Sequence, residues 1–317
     1  MFEYLTNLFE KNKNNKIYQY YFDCIISLLI MLIAIICVQS ISHIKRQFFE
    51  KDINLSYYNT EKDEVTVIML YLISFVISYV ICGILSFINY IDWKKSKYSH
   101  ITKIQLMFIQ LFALTYAIAS SALATEIIKK VVSNPRPEFY YLCNYNGYAD
   151  AVNSGNYTLY NSISEQYKIG DYENCYNKNG LSDAISSFPS GHTSTAFSSL
   201  LFTVFVIQNM LELKNIFTIG GMFSYGPLII STWIAISRVK DTKHHEYDII
   251  GGAIIGSVCA ILAYNNMSEC INKIFEQFEN EKSFDHVLTI VNDNQTMTNN
   301  KKFTKIRNET EDHYNKL

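Results

Sequence analysis

The sequence predicts an all-α integral membrane protein with six transmembrane helices and its charged, histidine-bearing loops gathered on the extracytoplasmic side. Three observations lead there. Apolar residues fall into blocks of about twenty, the length that crosses a ~30 Å hydrocarbon core at ~1.5 Å rise per residue. Asn-, Lys- and Tyr-rich stretches separate the blocks. Three clusters of cations and histidines, holding Pro135, Pro137 and Pro189, end the third block, begin the fourth and join the fifth to the sixth. By parity all three share one membrane face. The average composition conceals this pattern, with 49% hydrophobic residues in 317 and a mean hydropathy near zero. A net charge of -2 argues against nucleic acid as a partner.

Residues 1–20 are polar and carry Lys11, Lys13 and Lys16. The first span, Tyr21–Ile41, is too long for a signal-peptide core and reads as a retained signal anchor. Val65–Ile91 follows, ending at an interfacial Trp93 beside Lys94, Lys95 and Lys97. The remaining spans are Gln105–Ile128, Thr193–Leu211, Phe217–Ile236 and Ile249–Tyr264. The last contains Gly252 and Gly256, small residues four apart that let helices approach closely. The expected organisation is a cytoplasmic segment 1–20, a six-span domain 21–265 and a polar cytoplasmic tail 266–317. That tail is expected to be partly disordered after a short amphipathic helix near Ile271–Phe278.

Lysines set the orientation. The N-terminus, the Lys94 to Lys97 loop, Lys214 and the tail go to the cytoplasm, although Lys45, Arg46 and Lys51 fall in the first outer loop. The outer face receives the long loop Val131 to Phe188, with the glycosylation sequon Asn156-Tyr157-Thr158. It also receives Cys143 and Cys175, which can pair in an oxidising compartment. Two free thiols fit the sequence equally well. Cys24, Cys37, Cys82, Cys259 and Cys270 lie in or beside apolar blocks and read as small hydrophobes.

The clusters have a common chemistry. Lys129 and Arg136, with six residues between them, supply a point charge and a planar fork for phosphate oxygens. Pro189-Ser190-Gly191-His192 looks like the entry to a helix, where the N–H groups of Ser190 and Gly191 form an anion site. Arg238, His244 and Asp248 complete the set, and the spacing of four puts His244 and Asp248 on one helical face. A carboxylate that accepts from one imidazole nitrogen leaves the other as an oriented nucleophile or base. His192, on another helix, is then suited to protonate a leaving alkoxide. Together the groups fit a phosphoryl transition state. No Asp/Glu cluster for Mg²⁺ and no Cys/His set for zinc is evident, so neither metal nor cofactor is expected.

Taken singly, each cluster has a plainer reading. Lys129, Lys130 and Arg136 could anchor a helix at the interface, His192 could cap one, and Arg238 to Asp248 could be a solvated loop. His245 adjoins His244 and competes for the nucleophile role. The plain readings weaken together, because all three must hold on one membrane face.

In order and spacing, Lys129 to Pro137, Pro189 to His192 and Ser237 to Asp248 resemble the three signature motifs of the type 2 phosphatidic acid phosphatase superfamily. The flanks Arg46-Gln47-Phe48-Phe49 with Asp52, Arg136-Pro137-Glu138-Phe139 leading to Cys143, and Ser237-Arg238-Val239 are similar to eukaryotic lipid phosphate phosphatases in particular. The resemblance covers roughly residues 20–265. It implies His244 as the phosphorylated nucleophile, Asp248 as its partner and His192 as general acid. It further implies Lys129, Arg136, Ser190, Gly191 and Arg238 as phosphate ligands, lipid phosphate monoesters as substrates, and metal independence. The plasma membrane is the expected location, with the endoplasmic reticulum or another secretory membrane as the alternative. Oligomeric state, a homo-oligomer included, is left open. The alternatives are a polyprenyl or diacylglycerol pyrophosphate phosphatase, a sugar-phosphate phosphatase, and a non-catalytic lipid-phosphate binder or transporter.

Overall fold

The computed structural model describes residues 16–58, 62–93, 100–213, 219–273 and 276. These residues form helices and turns, with isolated bridges but no named strand among them. In chain order the helices are α1 Lys16–Gln39, α2 Val67–Tyr71, α3 Ser78–Trp93, α4 His100–Val132, the short α5 Phe139–Leu142, α6 Tyr148–Ser154, α7 Thr158–Ile163 and α8 Lys178–Ala184, then α9 Gly191–Leu213, α10 Ile219–Ser224 and α11 Gly226–Lys240. The last is α12, Glu246–Lys273. A π-helical stretch, Leu72–Ile77, joins α2 to α3 without a break.

Among the described residues five helices are long and apolar enough to cross a bilayer: Tyr20–Gln39, Val67–Ser86, Met107–Val132, Gly191–Leu211 and Glu246–Lys273. They are built inside-out. Ile30 and Ile33 of α1 are each 60% exposed, and Ile250, Ile254 and Leu262 of α12 also face outward. Ser121, Thr125, Ser194, Ser198, Ser199 and Thr203 are buried instead. Outward apolar faces of this extent have bilayer lipid as their solvent, and this is a membrane protein.

The fifth expected span, Phe217–Ile236, is divided. Its helical residues fall into α10 and α11, separated at Tyr225, with Pro227 in the first turn of α11. Proline donates no N–H and its ring clashes with a preceding helical turn, so α11 starts there. The sixth helix runs longer than expected, through Lys273 rather than Tyr264. Beyond Tyr264 no Gly or Pro interrupts it, and Asn265, Asn266 and Asn272 do not suffice to stop it. Most of the expected amphipathic helix and tail, like the segment 1–15 and the Lys94, Lys95, Lys97 and Lys214 loops, lies outside the described residues.

The chain divides into two compact units, Met1–Met267 and Ser268–Leu317. The second, in its described residues, is the helical end Ser268–Lys273 with an ion pair of Glu269 and Lys273. Within the first, α9 is the hub. It packs against α4, α3 and α11, while α1 packs on α4. Hydroxyls line the contact of α9 with α4: Ser121 Oγ donates to the Ser194 carbonyl at 3.2 Å and Thr125 Oγ1 to Ser194 Oγ at 2.9 Å.

Close approach of α12 to α9 depends on the two glycines. A Cβ on Gly252 would lie 2.6 Å from the Ser190 carbonyl oxygen, and one on Gly256 would strike the Ser194 carbonyl. Both obstacles are backbone and cannot swing away. Gly256→Val is therefore expected to lower stability by about 1–3 kcal/mol or more through overpacking, read as an earlier midpoint in SDS or thermal unfolding in micelles. A midpoint equal to that of the parent protein would contradict this packing.

The loop from Val131 to Phe188 is not a loose connection. With residues 42–58 it forms a cap over the helix ends, cored by Phe48, Phe139, Tyr140, Tyr145 and Tyr172. Rings of Phe48 and Phe139 meet edge to face at 4.9 Å. The buried Glu50 carboxylate accepts from Tyr145 O–H and the Glu165 N–H, each at 2.8 Å. Cys143 and Cys175 are disulfide-bonded, with Cα atoms 5.0 Å apart.

Candidate active site

The three sequence clusters meet beneath the cap. Ser190 caps α9: its Oγ accepts from Thr193 Oγ1 at 3.1 Å and its carbonyl from Ser194 N–H at 3.0 Å. Its own N–H, expected to face an anion, donates to the Asp248 carbonyl at 3.0 Å. That bond ties the start of α9 to α12 and removes the Ser190 N–H from the site. The first turn leaves the N–H groups of Gly191 and His192 without intrahelical partners. Beside them stands Lys129, whose Nζ would lie 3.3 Å from a Cβ on Gly191. Any larger residue at 191 would fill the space between the lysine and the helix start.

His244 is 4% exposed. Its Nδ1 donates to the Ser187 carbonyl at 2.8 Å, and Asp248 Oδ2 stands farther off at 3.7 Å. The orientation expected from Asp248 thus comes from a backbone carbonyl, while Asp248 supplies charge. With Nδ1 donating, Nε2 carries the lone pair. Asp248, fully buried, accepts through Oδ2 from Ser187 Oγ at 2.5 Å and from His245 N–H at 2.8 Å, and its Oδ1 has no partner among the described residues.

His245 is engaged elsewhere. Its Nε2 faces the Pro135 carbonyl at 3.2 Å and its ring stacks on Tyr247 at 4.9 Å between centroids. His192 lies within electrostatic reach of Arg238, His244, Arg136 and Lys129, and its buried Nε2 has no hydrogen-bond partner among the described residues.

The cations are each held by carboxylates. Lys129 Nζ lies 3.1 Å from Glu126. Arg136 donates through Nη2 to Asp183 Oδ1 at 2.7 Å, through Nε to the Asp183 carbonyl at 2.9 Å and through Nη1 to the Lys243 carbonyl at 3.3 Å. Arg238, 2% exposed, donates to Asp241 at 2.6 Å and lies 3.6 Å from Asp63. Lys243 bonds Glu138 at 3.1 Å, and burial pushes the Glu138 carboxyl above its ordinary range despite that lysine. A dianion entering the site competes with these carboxylates for the donors that remain. Backbone is strained on both cation loops, where Ser133 and the β-branched Thr242 take φ of 43° and 55°.

Asp63, Asn134, Glu138, Asp183, Ser187, Asp241 and Lys243 were not among the expected site residues. Asn134, Glu138, Asp241 and Lys243 lie within or directly beside the motifs, whereas Asp63, Asp183 and Ser187 lie outside them. Among the described residues no group of His, Cys, Asp and Glu is arranged to hold a metal ion.

Burial is the main cause that pushes His244 down to about 4, ahead of the opposing Asp248 bond, with Arg136 and Lys129 adding to the depression. The imidazole is neutral at pH 7. Its folded value lies below the ordinary one near 6.5, so its contribution to stability is complete above about 6.5 and is lost as pH falls toward 4. Titration of histidine-labelled protein in micelles by NMR is expected to show one resonance, absent in His244→Ala, with a midpoint near 4. A midpoint near 6.5 would contradict the buried, neutral assignment.

Residues 110–271, just over half the chain, match the profile described as the PAP2 superfamily. The chain belongs to the PAP2 superfamily. That stretch holds all three clusters of this PAP2 site. The chain is similar to a probable diacylglycerol pyrophosphate phosphatase 1 of Schizosaccharomyces pombe, 29% identical over 164 residues, covering 51% of this chain and 54% of the relative. It is 32% identical over 153 residues to a probable lipid phosphate phosphatase 4 of Arabidopsis thaliana, covering 45% and 43%. A diacylglycerol pyrophosphate phosphatase 1 of Saccharomyces cerevisiae is 25% identical over 225 residues, covering 70% and 71%. The chain spans about half the length of the first two relatives. No solved structure gives a significant match.

Proposed function

We propose that this PAP2 protein is a metal-independent lipid phosphate phosphatase working through a phosphohistidine. One observation carries the reading: a buried histidine with one nitrogen fixed by a carbonyl and the other free, beside Lys129, Arg136, Arg238 and the Gly191 N–H. His244 Nε2 attacks phosphorus, and the bond from phosphorus to the ester oxygen breaks. A protonated His192 gives its proton to the departing alkoxide, and the phosphoryl dianion supplies the negative charge that a second cation among the basic groups requires. Lys129, Arg136, Arg238 and the first-turn N–H groups neutralise the trigonal-bipyramidal phosphoryl. Water then cleaves the bond from His244 to phosphorus, giving its proton back to His192. Ser190 serves through its hydroxyl and its cap rather than its N–H.

Phosphatidate, lysophosphatidate and sphingoid or ceramide phosphates are the proposed substrates, in keeping with the name of the relative from Arabidopsis thaliana and with a site at the helix ends. Six crossings, with α10 and α11 together forming the fifth, and an extracellular or lumenal site are part of the proposal. The disulfide supports that side, since such bonds persist in oxidising compartments, as does the exposed sequon at Asn156. The test is phosphate release from phosphatidate in detergent–lipid micelles containing EDTA. Release should persist in the chelator. Its abolition by EDTA and rescue by Mg²⁺ would overturn metal independence, and no release from any lipid phosphate by folded protein would leave a binder or transporter.

A further inference from the structure

A cavity of about 440 Å³ opens beside the histidine site, lined by Arg46, Val132, Asn134, Phe188 and Tyr247. Its lining includes none of the residues assigned to the phosphoryl group, but is linked to them through hydrogen bonds. The Asn134 carbonyl accepts from Ser187 N–H at 3.0 Å, and the Ser187 carbonyl holds His244. Phe188 stands two residues before Ser190, Tyr247 adjoins Asp248, and Val132 lies one helical turn beyond Lys129. Tyr247 is exposed, as are Ile127 and Val131 on α4 and Ile250 on α12, so the cavity lies on the side from which a lipid would arrive.

Arg46 differs from the cations of the phosphoryl site. Those four basic groups each hold a carboxylate at rest, whereas Arg46 holds none among the described residues, and its guanidinium makes one bond there, Nη1 to Asn134 Oδ1 at 2.9 Å. Asn134 Nδ2 in turn donates to the Tyr247 oxygen at 2.9 Å, which leaves the phenol hydrogen free to donate. The cavity therefore presents a guanidinium and a phenol O–H between apolar walls, with room for more than a bare phosphate.

Resting on the phosphatase reading, we infer that this cavity is a second anion subsite, which receives the inner phosphate of a lipid diphosphate while the terminal phosphoryl lies on His244. Arg46 then determines specificity: it adds lipid diphosphates to the monophosphates proposed above and makes them the more tightly bound class.

The test is equilibrium binding of two non-hydrolysable ligands with the same acyl chains, a lipid methylenebisphosphonate and a lipid monophosphonate, in uncharged detergent micelles. Arg46→Gln removes the charge while its amide can still donate to Asn134, and Arg46→Ala removes both. The parent protein should prefer the bisphosphonate, and both variants should lower that preference tenfold or more, the scale of a charge-assisted hydrogen bond. A preference that stays within twofold in both variants, even if both affinities fall, would show a structural role and overturn the inference. So would loss of the preference when excess phosphatidylglycerol is added to the parent protein, which would assign the cavity to a bilayer phosphodiester. Binding is read without turnover, so a protein that binds both ligands but releases no phosphate defeats the phosphatase reading and still returns this ratio.

Discussion

His244→Ala is expected to lower kcat for phosphate release by about 10⁴-fold or more, because it removes the atom that accepts the phosphoryl group. No neighbour can substitute. His245 is stacked on Tyr247 and turned to the Pro135 carbonyl, and His192 is held in the first turn of α9. The cations and helix start survive the substitution, so affinity for a non-hydrolysable phosphonate should fall no more than severalfold. Assay of release and binding on one preparation separates the roles. A variant that keeps a tenth of the activity would remove His244 from the nucleophile position.

Asp248→Asn is expected to lower kcat by about 10²–10⁴-fold while leaving the protein folded. The amide oxygen can take the place of Oδ2 and accept from Ser187 O–H and His245 N–H, and the new NH₂ then falls at Oδ1, which has no partner among the described residues. The bond from His244 to the Ser187 carbonyl is untouched, so the ring keeps its orientation. What is lost is the negative charge 3.7 Å from Nδ1 that stabilises a phosphorylated, cationic imidazole. The titration of His244 should move further below 4, because Asp248 is the group that opposes burial there. Equal kcat in the two proteins would show that the carboxylate is structural only.

Much of the site was legible because its chemistry is local. Lys129, Arg136, His192, His244 and Asp248 stand in short motifs whose spacing sets them apart from the rest of the chain, and these residues do converge. The hydrogen-bond economy around them was not. A backbone carbonyl such as that of Ser187 has no signature, and the bond from Ser190 N–H to Asp248 joins residues 58 apart. Some carboxylate partners lie far away in sequence, Asp63 for Arg238 and Asp183 for Arg136, although Asp241 and Glu126 stand three residues from Arg238 and Lys129. Apolar block length placed four spans within a few residues, but the Tyr225 to Pro227 break and the continuation of α12 to Lys273 depend on single residues inside or beyond a block. The cap was the largest omission. Its helices of four to seven residues are too short for a periodic signal, and its core is tyrosine, which composition alone counts as loop-like.

The most direct test of the account is rapid quenching of the protein with phosphatidate labelled at phosphorus, followed by release of label from the denatured protein in acid and in alkali. Label that is lost in acid, survives alkali and is missing from His244→Ala is the predicted result, the signature of a phosphoramidate on that histidine. Phosphate release that proceeds at full rate with no label on the protein at any quench time, or label that persists in His244→Ala, would contradict it.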